Sequence, residues 1–255
     1  MSAIYIYCVM RAARRPSMAR VSAGVPQGTR PEVHAAAPSL WVVAASVPLD
    51  VYGPAHLEPR LRDLDWVSQV AMAHESVVEH CGKSRAATVV PMKLFTMFST
   101  IDKAIDDVRS RRREIERVMR RIAGAEEWGV RVFRRMDTGG EPPRQKPASG
   151  AEFLRARSQA RALAGDARAA SAAAADRAFD RLRRLSRDAR VRDTRVPAVT
   201  NPPMLDAAFL VASSSRARFK AEVRRQARTL AGAGADLSLT GPWPAYNFVA
   251  AGEPA

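Results

Sequence analysis

Residues 128–133 read Trp-Gly-Val-Arg-Val-Phe (WGVRVF), and the elements that follow this stretch decide the fold. It reads as a strand. Helical character resumes at Ala151 and is expected to run to about Arg187, along a seam of Ala160, Leu163, Ala167, Ala170, Ala174, Ala178 and Leu182 spaced by three or four. So small a seam predicts close approach to a partner helix, and a coiled coil is the rival reading. A strand is expected at Val191 to Val196, a turn at Asn201-Pro202-Pro203 and a strand at Leu205 to Ala212. A helix from Ser214 to Ala231 follows, capped by Ser214 or Ser215 and closed by Gly232 or Gly234. The last strand starts near Leu237. The order from Trp128 is therefore β-α-β-β-α-β, the split βαβ or ferredoxin-like arrangement.

Working back toward the N-terminus, Ile4, Ile6 and Cys8 alternate with Tyr5, Tyr7 and Val9, all apolar, which predicts a strand interior to a sheet. Residues 11–38 are rich in Arg, Pro, Gly and Ser and read as loop with a short strand near Val33; Leu40 to Val47 is the next strand, closed by Pro48. Leu64 to Lys83 then carries Trp66, Val67, Val70, Ala71, His74, Val77, Val78 and Cys81 on one helical stripe, with Gly82 as a stop. Ala86 to Phe98 is β-rich but contains Pro91, so it reads as an edge strand or a strand with a break. Ser99 or Thr100 can cap a helix from Ile101 to Ala123, which Gly124 ends. Residues 137–149 are turn formers throughout. The expected architecture is α+β: an N-terminal α/β domain over 1–125 and a ferredoxin-like domain over 126–255, meeting between Gly124 and Trp128 or at the 137–149 connection.

The 255 residues are 47% hydrophobic and 26% charged, enough for a sizeable core without metals or disulfides. Cys8 and Cys81 are the only cysteines, and both sit in apolar patterns, which fits a reducing, cytoplasmic setting. The N-terminus has no basic region ahead of its apolar run, and no stretch approaches the roughly 20 apolar residues that span a bilayer. Against 26 acidic residues stand 41 basic ones, a net charge of +15. Such an excess raises nucleic acid as an alternative partner. The stacking platform of ferredoxin-like RNA binders is missing, however, since Phe209 is the one aromatic on the inner strands.

No catalytic, cofactor-binding or metal-binding residue is assigned. His74 and Cys81 share a helical face, but His80 lies about 120° from His74 and no second cluster completes a tetrahedron. Cys8 lies mid-strand between apolar residues, which predicts an inert thiol, and no nucleophile elbow accompanies the four histidines. Gly232-Ala233-Gly234 follows a helix instead of preceding one, so it cannot cradle phosphate on a helix N-terminus.

One segment is more specific. Residues 239–249 read LTGPWPAYNFV, two prolines and three aromatics around Gly241. Gly241 permits a turn, and Pro242 and Pro244 fix the chain around Trp243. Trp243, Tyr246 and Phe248 then form a large apolar group, either a lid over the domain's own core or an exposed binding knob.

This segment closely resembles the TGPWPPYNF signature of the gas vesicle GvpL/GvpF family. The resemblance extends to Tyr5-Ile6-Tyr7, to Asp63 through Val67 with Ala73 through Val78, to Val89 through Phe98, and to Glu126-Glu127-Trp128-Gly129-Val130 at the domain junction. Ala245 replaces a proline of the signature. Phe95 stands where many members have glycine, which makes the turn near Thr96 less permissive. The resemblance implies a cytoplasmic, non-enzymatic accessory or minor structural protein of gas vesicle assembly, without a cofactor. It would contact the hydrophobic shell protein GvpA and other Gvp proteins in a chaperone or nucleation role. The surface expected to serve this is Pro91, Lys93 and Phe98 of the broken strand together with Gly241, Pro242, Trp243, Pro244, Tyr246 and Phe248.

Overall fold

The computed structural model describes residues 1–21, 23–83, 87–135, 149–193 and 201–249. Strands and helices alternate as β1 (Ser2–Arg11), β2 (Glu32–Ala37), β3 (Leu40–Pro48), α1 (Leu49–Tyr52), α2 (Pro54–Arg60), α3 (Leu64–Gly82), β4 (Thr88–Pro91), β5 (Met97–Phe98), α4 (Ile101–Ser110) and α5 (Arg112–Ile122). They continue as β6 (Ala125–Arg134), α6 (Gly150–Arg183), β7 (Asp188–Val191), β8 (Leu205–Ala212), α7 (Arg216–Gly232), β9 (Ala235–Trp243) and α8 (Tyr246–Val249). The chain is mixed α+β, with two sheets built around antiparallel pairs. Among the described residues no helix is long and apolar enough to cross a membrane.

Two compact units result: residues 1–127 with 242–249, and residues 128–241. In the first, β1 is central, with β3 on one side and β4 and β5 on the other, and β2 outside β3. All of these pairs are antiparallel, and β1 carries a bulge between Ile6 and Cys8 where it pairs with β3. Two-sided burial explains its unbroken apolar run: every residue from Tyr5 to Met10 is buried. The core joins Tyr5, Tyr7 and Tyr52 to the α3 stripe of Trp66, Val70, Val77 and Val78. Asp63 caps α3, its side chain accepting the amides of Asp65 and Trp66 at 3.1 Å each.

Pro91 ends β4 at the sheet edge, opposite Cys8. The chain then turns through Met92–Thr96 and returns to β1 as β5, so the expected strand carries a break. Thr100 caps the next helix by accepting the Lys103 amide. That helix is two, α4 and α5, meeting at Arg111, where the sequence suggests one from Ile101 to Ala123. No proline or glycine causes the break. Its effect is that α4 lies over β2, β1 and β5 while α5 reaches β4 and α8. Gly124, at φ +62°, ends α5 as expected.

In the second unit the sheet order is β7-β8-β6-β9, with α6 between β6 and β7 in sequence and α7 between β8 and β9. Trp128, Val130 and Val132 of β6 meet Ala174, Ala178, Leu182, Phe209, Phe219 and Leu230 in its core. The strand expected at Val191 to Val196 begins at Asp188, because α6 stops at Arg183, four residues earlier than the sequence suggests, and it is an edge strand: the inner pair is β8 and β6. Residues 194–196 of that expected strand, and all of the 137–149 connection except Ser149, lie outside the described residues. The seam of α6 is buried only from Ser171 onward. Ala160, Leu163, Ala167 and Ala170 are exposed, as is every residue from Gly150 to Ala170.

Candidate functional site

The proline- and aromatic-rich segment supplies the most distinctive local chemistry. Gly241, in β9, takes φ +114°, a conformation that a side chain would strain. From Pro242 onward the residues pack within the first unit, whereas the sequence suggests they complete the domain carrying β9. The reason lies in what α8 meets: it rests on β4 and α5. Phe248 is fully buried, and its carbonyl accepts from the Arg121 guanidinium. The buried Glu127 carboxylate accepts the Asn247 amide at 2.9 Å and its side-chain Nδ2 at 2.5 Å. A carboxylate removed from water is tolerated only with such donors. Asn247 is thus the polar clasp beside the apolar plug of Phe248.

Tyr246 extends the clasp toward α3. Its ring centroid lies 6.2 Å from that of His74, whose Nδ1 is 2.9 Å from the Tyr5 hydroxyl. Burial pushes the His74 imidazole down to about 4, against an opposing contact with the Met92 backbone, so the ring is neutral at pH 7. Burial likewise raises Glu75, which Tyr246 partly offsets, and raises the Tyr246 phenol. Glu75 Oε1 and Tyr246 Oη interact electrostatically, yet neither reaches a partner at hydrogen-bond geometry. His74 is therefore a core residue set among tyrosines. Among the described residues, no group of three or more His, Cys, Asp or Glu side chains could hold a metal ion. Cys8 and Cys81 are both buried and unbridged, and burial pushes the Cys8 thiol well up.

The sequence-predicted residues divide accordingly. Tyr246 is half-buried and Phe248 fully buried, and both pack within the first unit instead of over the core of the second. Pro91 is buried, and its strand β4 touches α8, so the broken strand and the aromatic tail meet. Phe98 is half-buried in β5, and Lys93 is exposed in the turn. Trp243 is different: 42% of its surface is exposed, with exposed Pro242 before it and half-buried Pro244 after it. The segment thus passes from an exposed Trp243 to a half-buried Tyr246 and a fully buried Phe248. Reading the sequence alone missed Asn247 and Glu127, although Glu127 is one of two adjacent acids in an otherwise apolar strand start.

The sequence profile of the family described as "Gas vesicle synthesis protein GvpL/GvpF" matches residues 3–250. A curated relative, "Gas vesicle protein L" of Streptomyces sp. (strain CB03234), is 29% identical over 226 residues, covering 84% of this chain and 81% of the relative. Among solved structures, GvpF from Anabaena sp. PCC7120 superposes with TM-score 0.68 at 13% identity, covering 99% of this chain and 98% of that one. GvpF from Microcystis aeruginosa gives 0.63 at 12%, covering 97% and 99%. At such identities the structural likeness speaks for the fold alone.

Proposed function

Because the chain belongs to the GvpL/GvpF family of gas vesicle synthesis proteins, we propose that it acts in vesicle assembly by holding the hydrophobic shell protein GvpA, together with other Gvp proteins, before they join the shell. The role is that of a non-enzymatic chaperone or nucleation factor, or a minor structural component, and its place is the cytoplasm and the vesicle. The supporting observation is Trp243. A large aromatic left 42% exposed between two prolines costs free energy in water unless something covers it. Its backbone needs little further ordering on binding, because Pro242 and Pro244 fix the path and Tyr246 to Val249 is anchored. The second unit is read as a ferredoxin-like βαββαβ module, supported by the order β7-β8-β6-β9 and its two helical crossovers.

Capture of purified GvpA by the native chain and by Trp243→Ala is the test. The variant is expected to fold normally and to capture several-fold less shell protein. Equal capture by both would remove the knob from the binding surface.

A further inference from the structure

We propose that the cleft between the end of α6 and the first half of α7 binds an acidic segment of a partner protein. The cleft, about 360 Å³, is lined by Arg181, Arg184, Leu185, Arg218, Glu222 and Arg225. Four guanidiniums face one carboxylate, and that carboxylate is already engaged: Glu222 accepts from Arg225 at 2.6 Å and from Gln226 at 2.6 Å. Burial alone would raise the Glu222 carboxyl. Hydrogen bonds from Gln226 and Arg225, with the charges of Arg225 and Arg181, hold it below the ordinary carboxylate range, so it stays ionised and occupied. Among the described residues, no carboxylate pairs with the side chains of Arg184 or Arg218.

Folding accounts for only part of this charge. Arg181 and Arg184 stand at the C-terminal end of α6, where cations offset the helix dipole. Arg218 does the opposite. It lies in the first turn of α7, a 17-residue helix with no acid in that turn and no side-chain cap from Ser215. A cation there works against the dipole and costs stability locally. An external anion between the two helix ends would offset that cost and neutralise the guanidiniums together.

The layout selects the kind of anion. Arg218 and Arg225, the latter already shared with Glu222, are two turns apart, about 10.5 Å along α7, and Arg181 and Arg184 are one turn apart at the C-terminal end of α6. A run of carboxylates covers that spread better than a single compact phosphate. Each guanidinium fork matches a carboxylate bidentately, and Leu185 adds an apolar contact for the segment's own side chains. No aromatic lines the cleft, so a nucleic-acid base has nothing to stack on. The inference rests on these arginines and not on Trp243, so it stands or falls apart from the capture of GvpA.

The probe is a fluorescein-labelled octaglutamate peptide, its binding to the full chain followed by fluorescence anisotropy at fixed salt. The double variant Arg184→Glu with Arg218→Glu is expected to weaken binding at least tenfold. Arg155→Glu with Arg161→Glu, on the exposed first half of α6, changes net charge equally and is expected to shift Kd less than twofold. Should the acidic reversal disturb folding, Arg184→Gln with Arg218→Gln gives the same ordering with a smaller effect. No binding by the native chain, or equal losses in both pairs, would overturn the site in favour of general electrostatic attraction. Displacement of the peptide by tripolyphosphate or a single-stranded oligonucleotide at lower concentration than by unlabelled octaglutamate would reassign the cleft to phosphate and overturn it as well.

Discussion

Phe95 holds a backbone angle of φ +62°, in the left-handed region that costs a non-glycine residue roughly 1–2 kcal/mol. The turn between β4 and β5 keeps it there because its ring stacks on Trp66 at 5.8 Å and 16° and packs against the core. Packing and backbone strain therefore oppose each other at one residue. Two substitutions separate them. Phe95→Ala loses the ring and retains the strain, at about 2 kcal/mol for a half-buried aromatic. Phe95→Gly loses the same ring but relaxes the backbone, so it is expected to be about 1 kcal/mol more stable than Phe95→Ala in urea unfolding. The reverse ranking would show that the turn is unstrained. The sequence marks this position as less permissive than glycine. It cannot show that stacking on Trp66, 29 positions away, is what offsets the cost. The same limit applied to Glu127, whose partner Asn247 is remote along the chain.

At the scale of elements, periodicity was a good guide wherever burial was one-sided or complete. The α3 stripe and the two-sided β1 follow from it, and so does β6, although that strand begins at Ala125, three residues ahead of the reading from Trp128. It was a poor guide to α6. An alanine seam with steps of three and four looks the same whether or not anything lies against it, so the exposed half could not be told from the buried half. The break at Arg111 was invisible for a related reason: the buried Ala104 and Val108 before it and Ile115, Val118 and Ile122 after it keep one helical phase, while the two halves cover different strands. The two halves of α6 make a direct contrast. Ala178 is fully buried against the second unit's core, and Ala160 is exposed. Ala178→Leu overpacks a close contact and is expected to cost about 1–3 kcal/mol. Ala160→Leu is expected to stay within about 0.5 kcal/mol of the parent. Paired thermal melts read both.

For the whole molecule, the order of elements from β6 to β9 was legible, and so was the family. Where residues 242–249 go was not, because that depends on the surface of β4 and α5 that only the folded first unit provides. Their two aromatic ends have opposite energetics. Phe248, fully buried, is expected to cost about 3–5 kcal/mol when replaced by alanine. Trp243, 42% exposed, is expected to cost under about 1 kcal/mol. Denaturant unfolding of the two variants checks the split, and similar losses would mean that Trp243 is also a structural plug.

Closure by residues 242–249 also dictates a timetable. A ribosome releases residues 1–127 long before it reaches the plug that completes their core, with 114 intervening residues, 128–241, still to be translated. Until then the faces of β4 and α5 that α8 covers await it, and Glu127 awaits the two nitrogen donors of Asn247. The unit synthesised first is the one finished last.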